Sequence, residues 1–524
     1  MLPFSKEGLP MNSRLGLSSL ILLLLTSPVF ALCTTGSTAT CSINGKPGTR
    51  TCLGSGRFGP CVASPQTSPT GPAPLPANYI GEANDTKTVL ADSDSFFALY
   101  FGGTEAEAAA AINSNFLPSG ATPGYWGIGQ ETSALVQMYD LILPLDPVRA
   151  GHYLDRLHTI AAALLANRDD HREVSGFTEP GHHPIDGFRN RVMAAWGAFA
   201  PDRDTKWNTD VVTTGLFTYA MAAFARRVAD NPPAYPQYAT DAVHFTTAVL
   251  QSYSSFLPEQ HLAAQDPWGY FTLPINYKNL QCKNGDSATQ HSCSQYREEA
   301  GQALAYNESL SMMKALADAA LAADSALYRN SADATPSNLT LATVAAPVLI
   351  AKDFTYFDKH LTEQSLSDGT PIFKWQKQQP APSLIQDTAH GGFELGTLAV
   401  LLDDKIRLNA LLAKSGQTVQ VALSTPLFTR FANTFLRKIW HYDYQNASGI
   451  RNVLSKDVDG GGYLGVDPSQ SANWECAGWI PLAQFEHWMW IRCRDSTFHP
   501  PIFLRVDNHA ALLRYRQYLY TAPP

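Results

Sequence analysis

The chain has 524 residues, 45% hydrophobic and 16% charged, which excludes general disorder and suffices for one very large domain or two ordinary ones. A formal net charge of -8 argues against nucleic acid as a partner, because that binding depends on a basic footprint. It weighs mildly against a strongly anionic polymer as well, although a local patch can reverse a global average.

At the N-terminus, Arg14 precedes an apolar run from Leu15 to Leu25, and Ser27-Pro28-Val29-Phe30-Ala31 supplies a small residue for cleavage. This is the pattern of a secretory signal peptide over residues 1–31, with translation from either Met1 or Met11. Leu32 before Cys33 argues against lipoprotein processing, and no later run approaches spanning length. The expectation is a secreted, periplasmic or extracellular protein with no membrane span in its mature form. The eight cysteines fall into local groups: Cys33, Cys41, Cys52 and Cys61 form a cluster, while Cys282 with Cys293 and Cys476 with Cys493 look like loop staples. Export and the lack of CxxC pairs favour disulfides over zinc, with the connectivity of the cluster left open. Residues 32–63 therefore read as a Cys-rich module. Residues 64–84 read as a linker because of the proline run Ser64 to Pro76.

From residue 85 to 524 helical spacing dominates. Apolar residues recur at helical intervals over 105–116, 132–143, 147–167, 192–199, 209–229, 240–256, 297–323, 341–361, 388–402, 406–413, 426–440, 478–490 and 508–518. Loops rich in Gly, Pro and aromatics separate several of these: 176–191, 265–296, 373–386 and 446–474. No sustained alternation predicts a large sheet. The fold class expected is all-α, an (α/α) toroid or incomplete toroid of antiparallel hairpins. A solenoid is the rival, but no motif recurs at a fixed period.

The most informative stretch is Gln386-Asp387-Thr388-Ala389-His390-Gly391-Gly392-Phe393-Glu394, followed by the apolar run Leu395 to Leu402. Asp387 is placed to cap the helix, while the spacing puts His390 and Glu394 one turn apart on the same face of its first turns. The apolar run then carries the helix into the core, so the pair is expected to line a cavity. A second polar opening, Tyr306-Asn307-Glu308, starts another apolar helix. A third cluster, Phe177 to Arg191, gathers His182, His183, Asp186 and Arg189 in a Gly/Pro-bounded loop.

With its helix number, its Asp387-to-Gly391 turn and its Tyr306-Asn307 opening, the chain over residues 85–520 resembles the α/α-toroid carbohydrate-active proteins, which include polysaccharide lyases and six-hairpin glycosidases. The resemblance implies an enzyme degrading a polysaccharide or oligosaccharide. In a lyase, Asn307 and Arg189 are candidates to neutralise a uronate carboxylate, His390 to act as base and Tyr306 as acid. In a glycosidase, paired carboxyl groups would be drawn from Glu394, Asp387, Glu308 and Glu299. A simple cap at Asp387 or Asn307 and a packed Tyr306 are the structural alternatives, as is a structural His390–Glu394 pair.

Aromatics at helix starts and in loops supply candidate sugar platforms: Trp126, Trp207 with Asn208, Trp268 with Tyr270, Trp375 and Trp474, joined by His182. Trp479, Trp488 and Trp490 follow a helical rhythm expected of packing. No nucleophile elbow, P-loop or dinucleotide fingerprint occurs, and no cofactor or metal is expected. The loop Asp457-Val458-Asp459-Gly460 reads as a turn and not as a calcium loop. A non-catalytic glycan-binding or cell-envelope interaction protein is the alternative from a different functional class.

Overall fold

Short polar side chains set where the helices begin. Asp85 accepts from Thr88 N–H at 3.0 Å to open α1 (Thr86–Phe101), and Thr104 with Glu107 forms a capping box on α2 (Glu105–Asn115). Asp146, followed by Pro147 in the first turn, opens α4 (Pro147–Ala166), which follows α3 (Tyr125–Ile142). Asp210 caps α5 (Val211–Asp230), which precedes α6 (Ala239–Ser255). Among the described residues, the remaining helices of ten residues or more are α7 (Tyr306–Ala323), α8 (Pro336–Lys359), α9 (Thr388–Lys414), α10 (Thr425–Thr434), α11 (Trp488–Thr497) and α12 (Val506–Tyr515).

The computed structural model describes residues 37–43, 46–51, 62–63, 79–116, 125–173, 183–199, 206–280, 293–294, 296–377, 385–441, 453–455, 457–461, 476–497 and 505–519. The chain divides into two compact units, Met1–Leu75 and Pro76–Pro524. In the first, strands Thr38–Ile43, Lys46–Thr51 and Val62–Ala63 form an antiparallel sheet. Residues 1–31, which have the sequence pattern of a signal peptide, lie outside the described residues, as do Cys33, Cys52 and Cys61.

The second unit is mostly helical, with short two-stranded ladders in its loops. Its central helices are α5 and α7. Both are buried on nearly every side, so each packs against other helices all round rather than along one stripe. Gly215 lets them approach: a Cβ there would come within 2.6 Å of the Met312 backbone nitrogen. Helix α3 packs on α5, α5 on α7, α7 on α9, α9 on the short 3-10 turn Ile480–Gln484, that turn on α12, and α12 back on α3. Gly478 permits the contact with α9, because any side chain there would overlap the Gly392 carbonyl. Behind these helices, α4 covers α3 and α5, α6 covers α5 and α7, and α8 covers α7. The stretch Pro336–Lys359 is long and apolar enough to cross a membrane, but 56% of its most apolar window is buried inside this fold.

Several sequence expectations change: 478–490 is a 3-10 turn over Ile480–Gln484 followed by the start of Trp488–Thr497, and the helix expected over 297–323 begins only at Tyr306. Helix α1 adds to the expected helices, its periodicity obscured in sequence because Asp92, Ser93, Asp94 and Ser95 dilute its apolar positions. The segment 192–199 is not helical: Arg191–Val192 pairs with Ile185–Asp186, and Gly197–Phe199 pairs with Trp207–Thr209. The Asp169 carboxylate fixes the second ladder by accepting from Gly197 N–H at 2.9 Å and Trp207 Nε1 at 2.8 Å. Finally, 388–402 and 406–413 are one continuous helix, since Asp403-Asp404-Lys405 is compatible with helix and Asp404 is buried. The Cys476–Cys493 disulfide forms as expected. Cys293 is also disulfide-bonded, and Cys282 lies outside the described residues.

Candidate active site

The central helices enclose a cavity of about 850 Å³. At its rim sits the start of α9, where Asp387 takes two hydrogen bonds from one residue: His390 N–H at 2.9 Å and His390 Nδ1 at 2.5 Å. The cap is therefore also the orienting partner of the imidazole. Burial alone would raise the Asp387 carboxyl, but the hydrogen bonds and charge of His390 hold it below its usual value. A carboxylate on Nδ1 favours the tautomer in which Nδ1 carries the proton and Nε2 carries the free lone pair. His390 is one-third exposed and meets the cavity together with Trp126, whose ring lies edge-on at 5.8 Å. Trp126 comes from the first turn of α3 and also meets Phe393 at 5.3 Å.

Deeper in, charged side chains interrupt otherwise apolar helices. Arg226 of α5 reaches Asp318 of α7 at 2.6 Å and makes a bidentate pair with Asp404 of α9. Arg227 binds Asp140 of α3 at 3.0 and 2.8 Å, and Arg514 of α12 binds the same carboxylate at 2.7 Å. Burial raises Asp140, but these two guanidiniums outweigh it and leave its carboxyl below the usual range. Burial wins at Asp404, pushed up to about 6 in spite of Arg226. The same balance raises Asp403, 3.5 Å from Arg514. Lys314 of α7 also lines the cavity, bonded to Ser133 Oγ at 3.1 Å and lying 3.9 Å from the centre of the Tyr219 ring.

Of the residues singled out from sequence, His390 and Trp126 meet at this cavity and most of the others do not. Glu394 lies in the core and does not line the cavity. It is fully buried, accepts from Trp375 Nε1 at 2.8 Å and from Gln386 Nε2, and burial raises its carboxyl well above the usual value. Four residues along an α-helix is 1.1 turns, and that residual rotation suffices to send His390 to the rim and Glu394 to the core. Trp375 is thus a core donor and not a sugar platform.

Tyr306 packs against Tyr356 and Phe357, with its hydroxyl buried and, among the described residues, without a hydrogen-bond partner, and burial pushes its phenol upward. Asn307 is buried within the first turn of α7 and does not cap it; Ala305 holds that position. Arg189 is committed to Asp186 at 2.7 Å and Glu259 at 2.5 and 2.7 Å, away from the cavity. Trp207 is fully buried on Asp169, and Asn208 accepts from Tyr277 Oη at 2.6 Å. Trp268 lies under Lys359 Nζ at 3.6 Å and Tyr270 stacks on His261 at 4.8 Å, both outside the cavity lining. His182 and Trp474 lie outside the described residues. Trp479 and Trp490 are core residues, whereas Trp488 is 45% exposed. Asp457 folds back on Asp459 and Gly461 N–H, while Asp459 pairs with Lys374 at 2.6 Å, as befits a turn.

The residues missed from sequence are the ionic ones: Asp140, Arg226, Arg227, Lys314, Asp318, Asp403, Asp404 and Arg514. Their signal was a charge set inside an uninterrupted apolar helix, most clearly Lys314 and Asp318 within Leu310 to Ala323. No family model, curated protein or solved structure matches this chain.

Proposed function

We propose that the protein is a secreted enzyme that cleaves a uronate-containing polysaccharide by β-elimination in this cavity. The observation that carries the proposal is the Asp387–His390 dyad at the rim of an 850 Å³ cavity, with Trp126 alongside. An imidazole held through Nδ1 presents Nε2 as a base, and the Trp126 indole beside it supplies an aromatic ring of the kind on which pyranose rings pack. Among the described residues His390 Nε2 has no protein hydrogen-bond partner, so it is available to a ligand.

In the proposed reaction, His390 Nε2 takes the C5 proton of the uronate. The C5–H electron pair becomes the C4–C5 double bond as the C4–O bond breaks. The imidazolium then returns the proton to the departing oxygen. Asp387 stabilises the imidazolium without itself changing protonation. The roles expected of Arg189, Asn307 and Tyr306 are not assigned, because Arg189 is committed to Asp186 and Glu259, Asn307 and Tyr306 are buried, and none of the three lines the cavity.

The fold proposed for this enzyme is an (α/α) toroid, supported by the order of helix neighbours α3, α5, α7, α9, the 480–484 turn and α12, which returns to α3. The Cys-rich segment is proposed to be a disulfide-stapled module outside the enzymatic unit. A second mode, glycoside hydrolysis, draws support from the raised carboxyls of Asp403 and Asp404 in the same cavity. Incubation with a panel of uronate polysaccharides tests the proposal. Elimination yields an ultraviolet-absorbing unsaturated uronate, hydrolysis yields reducing ends without it, and a glycan-binding protein yields retention without depolymerisation.

A further inference from the structure

Among the described residues, every cation lining the cavity but one faces an acid. Arg226 has Asp318 and Asp404, Arg227 and Arg514 share Asp140, Arg505 binds Asp507 at 2.6 and 2.5 Å, and His390 has Asp387. Lys314 is the exception: among the described residues no carboxylate lies within ion-pair distance of its amine. Its side chain is only 5% exposed, yet the residue lines the cavity.

An ammonium has three N–H donors. The Ser133 hydroxyl takes one, and the Tyr219 face offers a cation–π contact. Neither carries a full negative charge, so a buried cation is left without a counter-ion, a state that costs free energy unless a ligand supplies one. The surroundings are defined on every side: Ser133 on α3, Tyr219 on α5, Phe393 on α9 at 5.7 Å, Asp318 on its own helix and Asp507 on α12. The two aspartates act on it from beyond ion-pair distance.

We propose that Lys314, with Ser133, is the subsite that receives the carboxylate of the acidic sugar. This rests on the lyase reading and supplies the neutralising group that reading lacks. Phe393 links the two halves of the site, since its ring faces both Lys314 and Trp126, and Trp126 in turn meets His390. A carboxylate on Lys314 thus lies against the same wall as the proposed base. Neutralising that carboxylate is what makes the neighbouring C5 proton acidic enough to remove. Burial lowers the amine to about 8, against the opposing charges of Asp318 and Asp507, so it is mainly protonated at neutral pH and its charge is titratable in an accessible range.

The test is equilibrium binding of glucuronate, galacturonate and mannuronate oligosaccharides, each beside its carboxyl-reduced neutral counterpart, to the full-length protein and to K314M. The wild-type protein is expected to favour at least one acidic form by about 10- to 100-fold, the range of a charge-assisted hydrogen bond. K314M is expected to lose that preference while keeping its affinity for the neutral form. Should K314M fail to fold, the wild-type preference itself should fade as pH rises through about 8. Absence of any preference in the wild-type protein overturns the proposal, as does a preference retained in folded K314M or unchanged at pH 10. A uronate preference without an unsaturated product keeps the subsite and removes the lyase. An unsaturated product from K314M with unchanged KM does the reverse.

Discussion

Asp387 serves His390 twice, accepting its backbone N–H at 2.9 Å and its Nδ1 at 2.5 Å, so one carboxylate starts helix α9 and orients the imidazole at the cavity rim. The two functions can be separated by substitution. Asn caps a helix about as well as Asp but cannot stabilise an imidazolium by charge. Asp387→Asn is therefore expected to leave the melting temperature within about a degree or two and to lower kcat by at least about 10-fold. Parallel melting curves and initial rates check this.

His390→Ala removes a group that is one-third exposed and packs only at its edge. The expected outcome is little change in stability and a loss of about 100- to 10,000-fold in kcat, the usual contribution of a general acid–base group. Steady-state rates on a glycan that the wild-type protein cleaves provide the measurement.

Glu394 behaves differently. It accepts from Trp375 Nε1 and Gln386 Nε2 in the core, so Glu394→Ala leaves buried donors without a partner and opens space around them. A destabilisation of roughly 2–5 kcal/mol is expected in chemical denaturation, with any loss of activity following the loss of folded protein.

Those contrasting roles show what was legible in sequence. Asp387 as a cap and His390 as a cavity residue follow from the polar start of an apolar helix, which local spacing records. The direction of Glu394 does not, because it depends on Trp375 and Gln386, which reach it through tertiary packing. Trp207 illustrates the same limit: a tryptophan at the start of a segment has the same sequence signature whether it stacks on a sugar or donates to a buried Asp169. The paired ions of α5 are hidden in sequence for the opposite reason. Arg226-Arg227 at the end of a helix resembles a solvated terminus, and only the placement of Asp140, Asp318 and Asp404 on three other helices brings it inside.

Asp353 gives the fold a pH signature. It is buried in α8, accepts from Ser309 Oγ at 2.9 Å, and burial pushes its carboxyl from 3.8 to about 7. Between those values the native state holds a proton that the unfolded chain has released. Stability contributed by this group therefore falls as pH rises from about 4 to 7, by about 1.4 kcal/mol per unit at most. Asp353→Asn is expected to flatten that slope and to be more stable than wild type at pH 8. Urea denaturation across the range measures both.

The Cys476–Cys493 disulfide closes a loop of sequence separation 17. Replacing both cysteines by serine is expected to cost about 3 kcal/mol, chiefly through the freedom regained by the unfolded chain. Denaturation midpoints of the oxidised wild type and the double variant give the comparison.

The most direct measurement of what the His390 dyad does in its cavity is ultraviolet absorbance during incubation of the purified protein, and of His390→Ala, with a panel of uronate polysaccharides. Absorbance that rises with the wild-type protein and is lost in the folded variant is the expected result. No absorbing product from any member of the panel, or an equal rise with His390→Ala, would contradict it.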